Sequence, residues 1–115
     1  MHKSGLAGFI IDCKTDDLDA AARFWSEALS LPPLPEAYAE ETGYRKLSSG
    51  PGGVHIEVQQ VDHPSRVHLD IGADDVEAEV KRLECLGAKP VSRVRDWVVM
   101  EAPTGHRFCV VPRKS

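Results

Sequence analysis

A chain of 115 residues with 42% hydrophobic and 28% charged residues has the size and composition of one globular domain with a buried core. The net charge of -4 argues against the clustered basic surface that nucleic-acid phosphates require, so no nucleic-acid partner is expected. No apolar signal segment and no stretch of about 18 apolar residues is found, which predicts a soluble cytoplasmic protein without a membrane partner.

The chain begins with an apolar strand over residues 9–14 that is followed by two aspartates, Asp16 and Asp17. A carboxylate at this point caps a helix, because it accepts hydrogen bonds from amides that lack a partner in the first turn. Apolar residues then recur at helical spacing, at Leu18, Ala21, Ala22, Trp25 and Leu29. The spacing predicts an amphipathic helix in which Phe24 and Trp25 pack against the protein rather than contact a ligand.

Three strands are predicted after this helix. A Pro-rich loop over residues 31–35 leads to a weak strand near residues 37–40 and to a second strand over residues 44–47. A Pro/Gly turn at residues 51–53 then leads to a third strand over residues 54–58, which has strict alternation of apolar and polar side chains.

The second half of the chain repeats the first. Residues 68–78 lie over residues 10–20, and both segments read as an apolar strand followed by two aspartates that open a helix. The helical apolar positions of this half are Val76, Val80, Leu83 and Leu86. Gly87 follows at the position where a glycine commonly ends a helix.

Each half is therefore predicted to contain one strand, one helix and three further strands. In the second half, strands follow at residues 90–95 and 97–101, and residues 103–110 supply a turn and the last strand. The fold class is mixed α+β, with two tandem βαβββ modules that form a curved sheet around a cleft. The modules cover about residues 5–62 and 63–113.

Alternation gives each strand an apolar and a polar face. The apolar positions predicted to lie under the helices are Phe9, Ile11, Cys13, Val54, Ile56, Val58, Val67, Leu69 and Ile71. The alternate positions carry polar residues, namely Asp12, His55, Glu57, Gln59, His68 and Asp70. An antiparallel sheet commonly has one solvent-exposed polar face that serves no function. Two histidines on neighbouring strands nevertheless favour a polar-lined concave cleft.

The order of these elements and motifs along the chain resembles that of the vicinal oxygen chelate superfamily. This superfamily includes glyoxalases, ring-cleaving dioxygenases, fosfomycin-resistance enzymes and bleomycin-binding proteins. The resemblance spans nearly the whole chain and rests on residues 17–25, 29–31, 67–76, 86–88 and 102–106. It implies a cleft in which the first and last strands of each module supply four ligands to a divalent metal ion.

Carried over to this sequence, the four ligand positions are Ile10, Glu57, His68 and Cys109. Glu57 and His68 match the family's ligands, whereas Ile10 cannot bind a metal and Cys109 replaces an oxygen donor with a thiol. A variant site would recruit His55, Asp12 or Asp70, and one acceptable set is His55, Glu57 and His68. Such ligands suit zinc, iron or nickel.

Asp12 and Asp70 each interrupt an apolar strand, and a buried carboxylate needs a hydrogen-bond or charge partner. Each is either a general base in the cleft or half of a structural pair held by Lys14, Arg66 or backbone amides. Glu57 is predicted to act as a metal ligand or as a base. The other predicted cleft residues are Gln59, Trp97, Tyr44 and Cys109.

Three cysteines, Cys13, Cys85 and Cys109, are widely spaced and form no CxxC pair. This pattern fits neither a disulfide framework nor a typical zinc motif. We therefore expect free thiols that are buried or half-buried.

Two functions follow from the resemblance. The first is a metal-assisted lyase or isomerase that acts on a small organic molecule next to a carbonyl group, where it stabilises a developing oxyanion. The second is a non-catalytic, drug-sequestering protein of the bleomycin-resistance kind, which holds its ligand without a metal and with help from Trp97 and Tyr44.

An open cleft and open edge strands also predict a homodimer.

Overall fold

The structure is a computed structural model, and it describes residues 2–33, 43–48 and 53–113. Within these residues the helices and strands are β1 Ser4–Lys14, α1 Leu18–Leu29, β2 Tyr44–Leu47, β3 His55–Val61, β4 Arg66–Ala73, α2 Val76–Cys85, β5 Lys89–Val94, β6 Trp97–Glu101 and β7 Arg107–Pro112. The order confirms the mixed α+β fold with two βαβββ-type modules. The weak strand predicted near residues 37–40 lies outside the described residues.

The chain divides into two compact units. The first unit is Gly8–Val67, and the second contains residues 2–7 together with residues 68–113 of the described chain. In the first unit the strand order is β2-β3-β1, with β2 antiparallel and β1 parallel to β3. In the second unit the order is β4-β7-β6-β5, with β4 parallel to β7 and the other pairs antiparallel.

Both helices begin at the predicted aspartate caps. The carboxylate of Asp17 accepts a hydrogen bond from the amide of Ala20 at 3.0 Å, and Asp75 accepts one from Ala78 at 3.0 Å. After α2 the backbone of Gly87 has a φ of 105°, a left-handed conformation that favours glycine. Local sequence signals therefore set the helix boundaries.

None of the helices in the described part of the chain is long and apolar enough to span a membrane.

Helix α1 packs on β2 and β3 of the first unit. We call the resulting core the α1 cluster; it contains Cys13, Leu18, Ala22, Leu47 and Val58, with Ile11, Ala21, Trp25, Leu31 and Ile56 packed against it. The strand residues of this cluster belong to the predicted apolar positions of β1 and β3. The predicted strand register of the first unit is therefore confirmed, because a shift by one residue would turn these side chains to the other face.

Helix α2 packs on β5, β6 and β7 of the second unit. This core, the α2 cluster, contains Ala73, Val80, Leu83, Ala88, Val98, Met100, Phe108 and Val110, with Ile71, Val76 and Ala102 packed against it. Burial of these apolar surfaces is the main source of stability in each unit. The residues that alternate with the cluster residues along β4, β6 and β7 point to the opposite face of the sheet.

Four packing predictions are wrong. Phe24 is exposed and contacts Trp25 edge to face, with ring centroids 5.0 Å apart, so only Trp25 joins the α1 cluster. Val67 and Leu69 are exposed because the helix-facing residues of β4 enter the α2 cluster only from Ile71 onward. Cys85, in the last turn of α2, is also exposed, whereas Cys13 is buried and Cys109 is half-buried as predicted.

A buried carboxylate ties the start of the chain to α2. Glu79 is 0% exposed, and its Oε1 lies 2.7 Å from Nε2 of His2. The guanidinium of Arg82 donates to both carboxylate oxygens, at 2.9 and 2.7 Å. The Lys3 amide donates to Asp74 Oδ1 at 2.7 Å. The hydrogen bonds from His2 and Arg82 satisfy the Glu79 carboxylate, which would otherwise be costly to bury.

Strand β5 is the last strand in the order of the second unit, and all six of its residues are exposed. Its antiparallel pairing with β6 shifts register between Pro90 and Ser92. A shift of this kind indicates a β-bulge, which bends the strand locally.

Candidate functional site

The second unit brings three predicted site residues together on the sheet face opposite α2. His68 and Asp70 alternate along β4, and Asp70 is the register partner of Cys109 on β7. One ligand atom of each residue lies within 4.8 Å of the other two. The His68 Nε2 and Asp70 Oδ1 atoms are 3.5 Å apart, and both side chains are largely removed from solvent.

The same face continues onto β6, where the predicted cleft residue Trp97 alternates with the buried residues Val98 and Met100. Val99 is the register partner of Cys109, so the thiol lies between Asp70 on one side and Val99 on the other. An apolar side chain and an indole therefore share a face with an imidazole, a carboxylate and a thiol.

The first unit presents its own polar face opposite α1. Three predicted site residues alternate along β3, namely His55, Glu57 and Gln59. Their register partners on β1 are Gly8, Ile10 and Asp12. The partners of Glu57 and Gln59 on β2 are Lys46 and Tyr44. The amide Nε2 of Gln59 donates to the Tyr44 hydroxyl at 2.9 Å, so these two predicted cleft residues are adjacent.

Glu57 is flanked by residues of opposite character. On β1, Ile10 is 2% exposed and fills the ligand position of the family with an apolar side chain. On β2, the Lys46 ammonium lies 3.8 Å from a Glu57 carboxylate oxygen. Lys46 was not predicted as a site residue, although its alternation with Leu47 and its place two residues after Tyr44 put it on the polar face.

His55 lies directly over Gly8. A Cβ atom added to Gly8 would collide with the imidazole ring and with the carbonyl oxygen of His55. Glycine at this position is therefore what allows the His55 side chain to lie across β1.

Asp12 is buried on the same face, and its Oδ2 is 3.9 Å from Nε of Arg66. Arg66 was one of the partners expected for this carboxylate.

The structure thus brings together His68, Asp70 and Cys109 in one unit, and places His55, Glu57 and Gln59 along one strand of the other. That the two sets converge on one cleft remains a prediction, as does the catalytic or ligand-binding role of each residue.

The family model of the glyoxalase-like domain matches residues 8–111 of the chain. The chain belongs to this glyoxalase-like family. The resemblance to the vicinal oxygen chelate superfamily is therefore confirmed over nearly the whole sequence. Among curated proteins, no significant match is found.

The backbone of the chain is similar to those of several solved structures. Methylmalonyl-CoA epimerase from Mycobacterium tuberculosis has a TM-score of 0.66 at 17% identity, over 96% of this chain and 89% of that one. The Mn(II)-bound glyoxalase from Novosphingobium aromaticivorans has a TM-score of 0.62 at 20% identity, over 93% of this chain and 38% of that one. A hypothetical protein from Bacillus halodurans C-125 has a TM-score of 0.65 at 15% identity, over 97% and 96%. Identities this low show a shared fold alone.

The cluster of His68, Asp70 and Cys109 fits a divalent metal. A tetrahedral zinc ion with bonds of about 2.0–2.3 Å separates neighbouring ligand atoms by about 3.3–3.8 Å. The 3.5 Å between His68 Nε2 and Asp70 Oδ1 lies in this range, and the limit of 4.8 Å for the other pairs leaves a small side-chain adjustment. A thiolate ligand suits zinc or iron better than manganese.

Proposed function

We propose that this glyoxalase-like domain binds a small organic molecule with a carbonyl group and acts next to that carbonyl as a metal-assisted lyase or isomerase. The observation that carries the proposal is the cluster of three donors, an imidazole, a carboxylate and a thiol, on one sheet face. Two of its members, His68 and Cys109, occupy ligand positions implied by the family. The third, Asp70, supplies a donor of the chain's own.

In this proposal His68, Asp70 and Cys109 hold a zinc or ferrous ion. When bound, such an ion polarises a carbonyl oxygen and stabilises the negative charge that develops on it. Three protein ligands leave the fourth tetrahedral position to water or substrate, as is typical of catalytic zinc sites.

Glu57 is the proposed base, which would take the proton from the carbon next to the carbonyl. A carboxylate within reach of a carbon acid is a typical general base, and the Lys46 ammonium lies 3.8 Å from an oxygen of this one. Trp97 shares the face of the metal cluster and supplies a flat apolar surface for the ligand. Gln59 and Tyr44 form a hydrogen-bonded pair on the face that carries Glu57.

The test begins with metal content. The purified chain should contain, or take up, about one zinc or iron ion per molecule by elemental analysis, and His68→Ala should lose it. His106→Ala is the matched control, because His106 is an exposed histidine of the same unit whose Nδ1 contacts Thr104 Oγ1 at 2.6 Å.

Proton transfer is tested separately. The metal-loaded chain should exchange the hydrogen next to the carbonyl of methylmalonyl-CoA or of a small aldehyde or ketone for deuterium, as seen by proton NMR in D₂O. Glu57→Gln should abolish this exchange and retain the metal, because the proposal gives Glu57 no role as a ligand. Loss of the metal in Glu57→Gln would assign Glu57 to the ligand set instead.

A second candidate is a non-catalytic protein that sequesters its ligand without a metal. The buried side chain of Ile10 favours it, because an apolar residue occupies one of the four ligand positions of the family. The same elemental analysis distinguishes the two candidates. A chain that binds no zinc, iron or nickel but still binds a small ligand would support sequestration and refute the metal-assisted reaction.

A further inference from the structure

The three free cysteines of the chain lie in three different environments. Cys13 is buried in the α1 cluster, and burial raises the pKa of its thiol, which keeps it protonated and unreactive. Cys85 is exposed at the end of α2, on the other side of the sheet from the candidate metal ligands. Cys109 is half-buried and is the cysteine found in the cluster with His68 and Asp70.

Cys109 lies beside both metal-binding side chains and an apolar side chain on this sheet face. Asp70 and Val99 are its register partners on the adjacent strands, and His68 lies diagonally across on β4. As a residue Cys109 is half-buried, and we expect a reagent as small as hydrogen peroxide to reach its sulfur from this sheet face. A thiol that is both accessible and next to metal-binding groups is where oxidation and metal binding compete.

We infer that Cys109 is an oxidisable metal ligand, and that the oxidation state of its sulfur controls whether the cluster of His68, Asp70 and Cys109 holds its metal. This inference rests on the proposed function, because it requires a metal at that cluster. It adds regulation to that function: a peroxide would switch the site off, and a thiol reductant would restore it.

The oxidant is a hydroperoxide, and the chemistry balances with hydrogen peroxide. The Cys109 thiolate attacks one peroxide oxygen, so that an S–O bond forms and the O–O bond breaks. The hydroxide that leaves takes a proton and becomes water, and the sulfur becomes a sulfenic acid while the peroxide oxygens are reduced. The product no longer offers a thiolate, so two of the three donors remain.

Reduction reverses the step. One thiol of dithiothreitol attacks the sulfenic sulfur and releases water, which gives a mixed disulfide. Its second thiol then closes the dithiothreitol ring and releases the Cys109 thiol. Because the described cysteines are all free and Cys85 lies on the opposite side of the sheet, the reductant has to come from solution.

The experiment uses the full chain and zinc as the probe. Zinc binding is measured first by competition with a chromophoric chelator, and then again after treatment with hydrogen peroxide. Because loss of an outer-sphere partner already weakens a metal site about 10–100-fold, loss of the thiolate should lower the zinc affinity by at least about a hundredfold. Mass spectrometry should show one added oxygen on the Cys109 peptide, and dithiothreitol should restore zinc binding.

Alkylation gives an independent readout of the same competition. With zinc at about ten times its Kd, iodoacetamide should modify Cys109 about tenfold more slowly, because about a tenth of the molecules are then metal-free. The rate at Cys85 should not depend on zinc.

Two variants complete the design. Cys85→Ser should release zinc with peroxide as the parent does, since that sulfur lies outside the cluster. Cys109→Asp keeps an anionic donor and should bind zinc that peroxide cannot release. If circular dichroism shows that the aspartate variant is unfolded, Cys109→His, which supplies an imidazole nitrogen as the donor, replaces it.

The outcomes separate the two proposals. A parent chain that never binds zinc refutes the metal site, and the regulation falls with it. Zinc that binds but stays bound after Cys109 is oxidised refutes the regulation alone. The regulation is also refuted if peroxide leaves Cys109 unmodified or if iodoacetamide reacts with it equally fast with and without zinc.

Discussion

Replacement of Glu79 by glutamine should remove a pH-dependent part of the stability of the protein. The hydrogen bonds from Arg82, aided by that from His2, hold the pKa of this buried carboxyl at about 2, below its ordinary value of 4.5. The difference corresponds to about 3 kcal/mol of unfolding free energy. Because the Arg82 side chain is 50% exposed, solvent screens the pair, and we expect about 1–2 kcal/mol.

The sign follows from the direction of the change. A carboxyl whose pKa is lower in the folded state contributes its full stabilisation above pH 4.5, where both the folded and unfolded chains carry the charge. The contribution is lost as the pH falls from about 4.5 to about 2, because the unfolded chain takes up the proton first. The parent chain should therefore become less stable over this window.

Urea unfolding followed by circular dichroism at a series of pH values from 2 to 7 measures the effect. Glu79→Gln should be less stable than the parent at pH 7 and should approach it at the acidic end. Glu77→Gln is the matched control, since Glu77 lies on the same helix and pairs with Arg93 in an exposed position. If Glu79→Gln and the parent lose stability in parallel below pH 4.5, the assignment of the buried ion pair is wrong.

Exchange of Gly8 for valine should lower the midpoint of thermal unfolding, because the new side chain collides with His55 and overpacking of this kind costs about 1–3 kcal/mol. Gly5→Ala should leave the midpoint unchanged, since the nearest atom would be 3.8 Å from the new Cβ. Met100→Ala should cost about 2–5 kcal/mol in urea unfolding, whereas Val91→Ala on exposed β5 should cost less than about 0.5 kcal/mol; equal costs would contradict the core described above. Analytical ultracentrifugation should give twice the 12.6 kDa chain mass, and a monomer at micromolar concentration would disprove the predicted homodimer.

Local signals in the sequence predicted the helices and the strand faces. The caps at Asp17 and Asp75 and the glycine at position 87 act within one helical turn, so nearby residues suffice to locate the helix ends. Ile56 and Val58 were placed correctly because a strand has a side-chain period of two. The exposure of Phe24 and Leu69 was missed, because periodicity shows which way a side chain points but not how far the helix covers the sheet.

The candidate site was less predictable. Asp70 was one alternative among several, and its place beside Cys109 depends on the register of β4 against β7, two strands that α2, β5 and β6 separate in sequence. The role of Glu79 was invisible, because it reads as a solvent-exposed helix residue until His2, 77 positions away, is brought against it. Register and long-range packing are set by the whole domain, whereas a motif is set by a few residues.

The bulge in β5 has a consequence for how copies of the chain associate. An outermost strand with free amides and carbonyls can template the addition of a strand from another molecule, which leads to aggregation. Pro90 has no amide hydrogen to donate, and the irregularity between Pro90 and Ser92 interrupts the even spacing that a continuous ladder needs. We therefore expect a homodimer to form through a different surface, and variants that straighten β5, such as Pro90→Val, to aggregate more readily at high concentration.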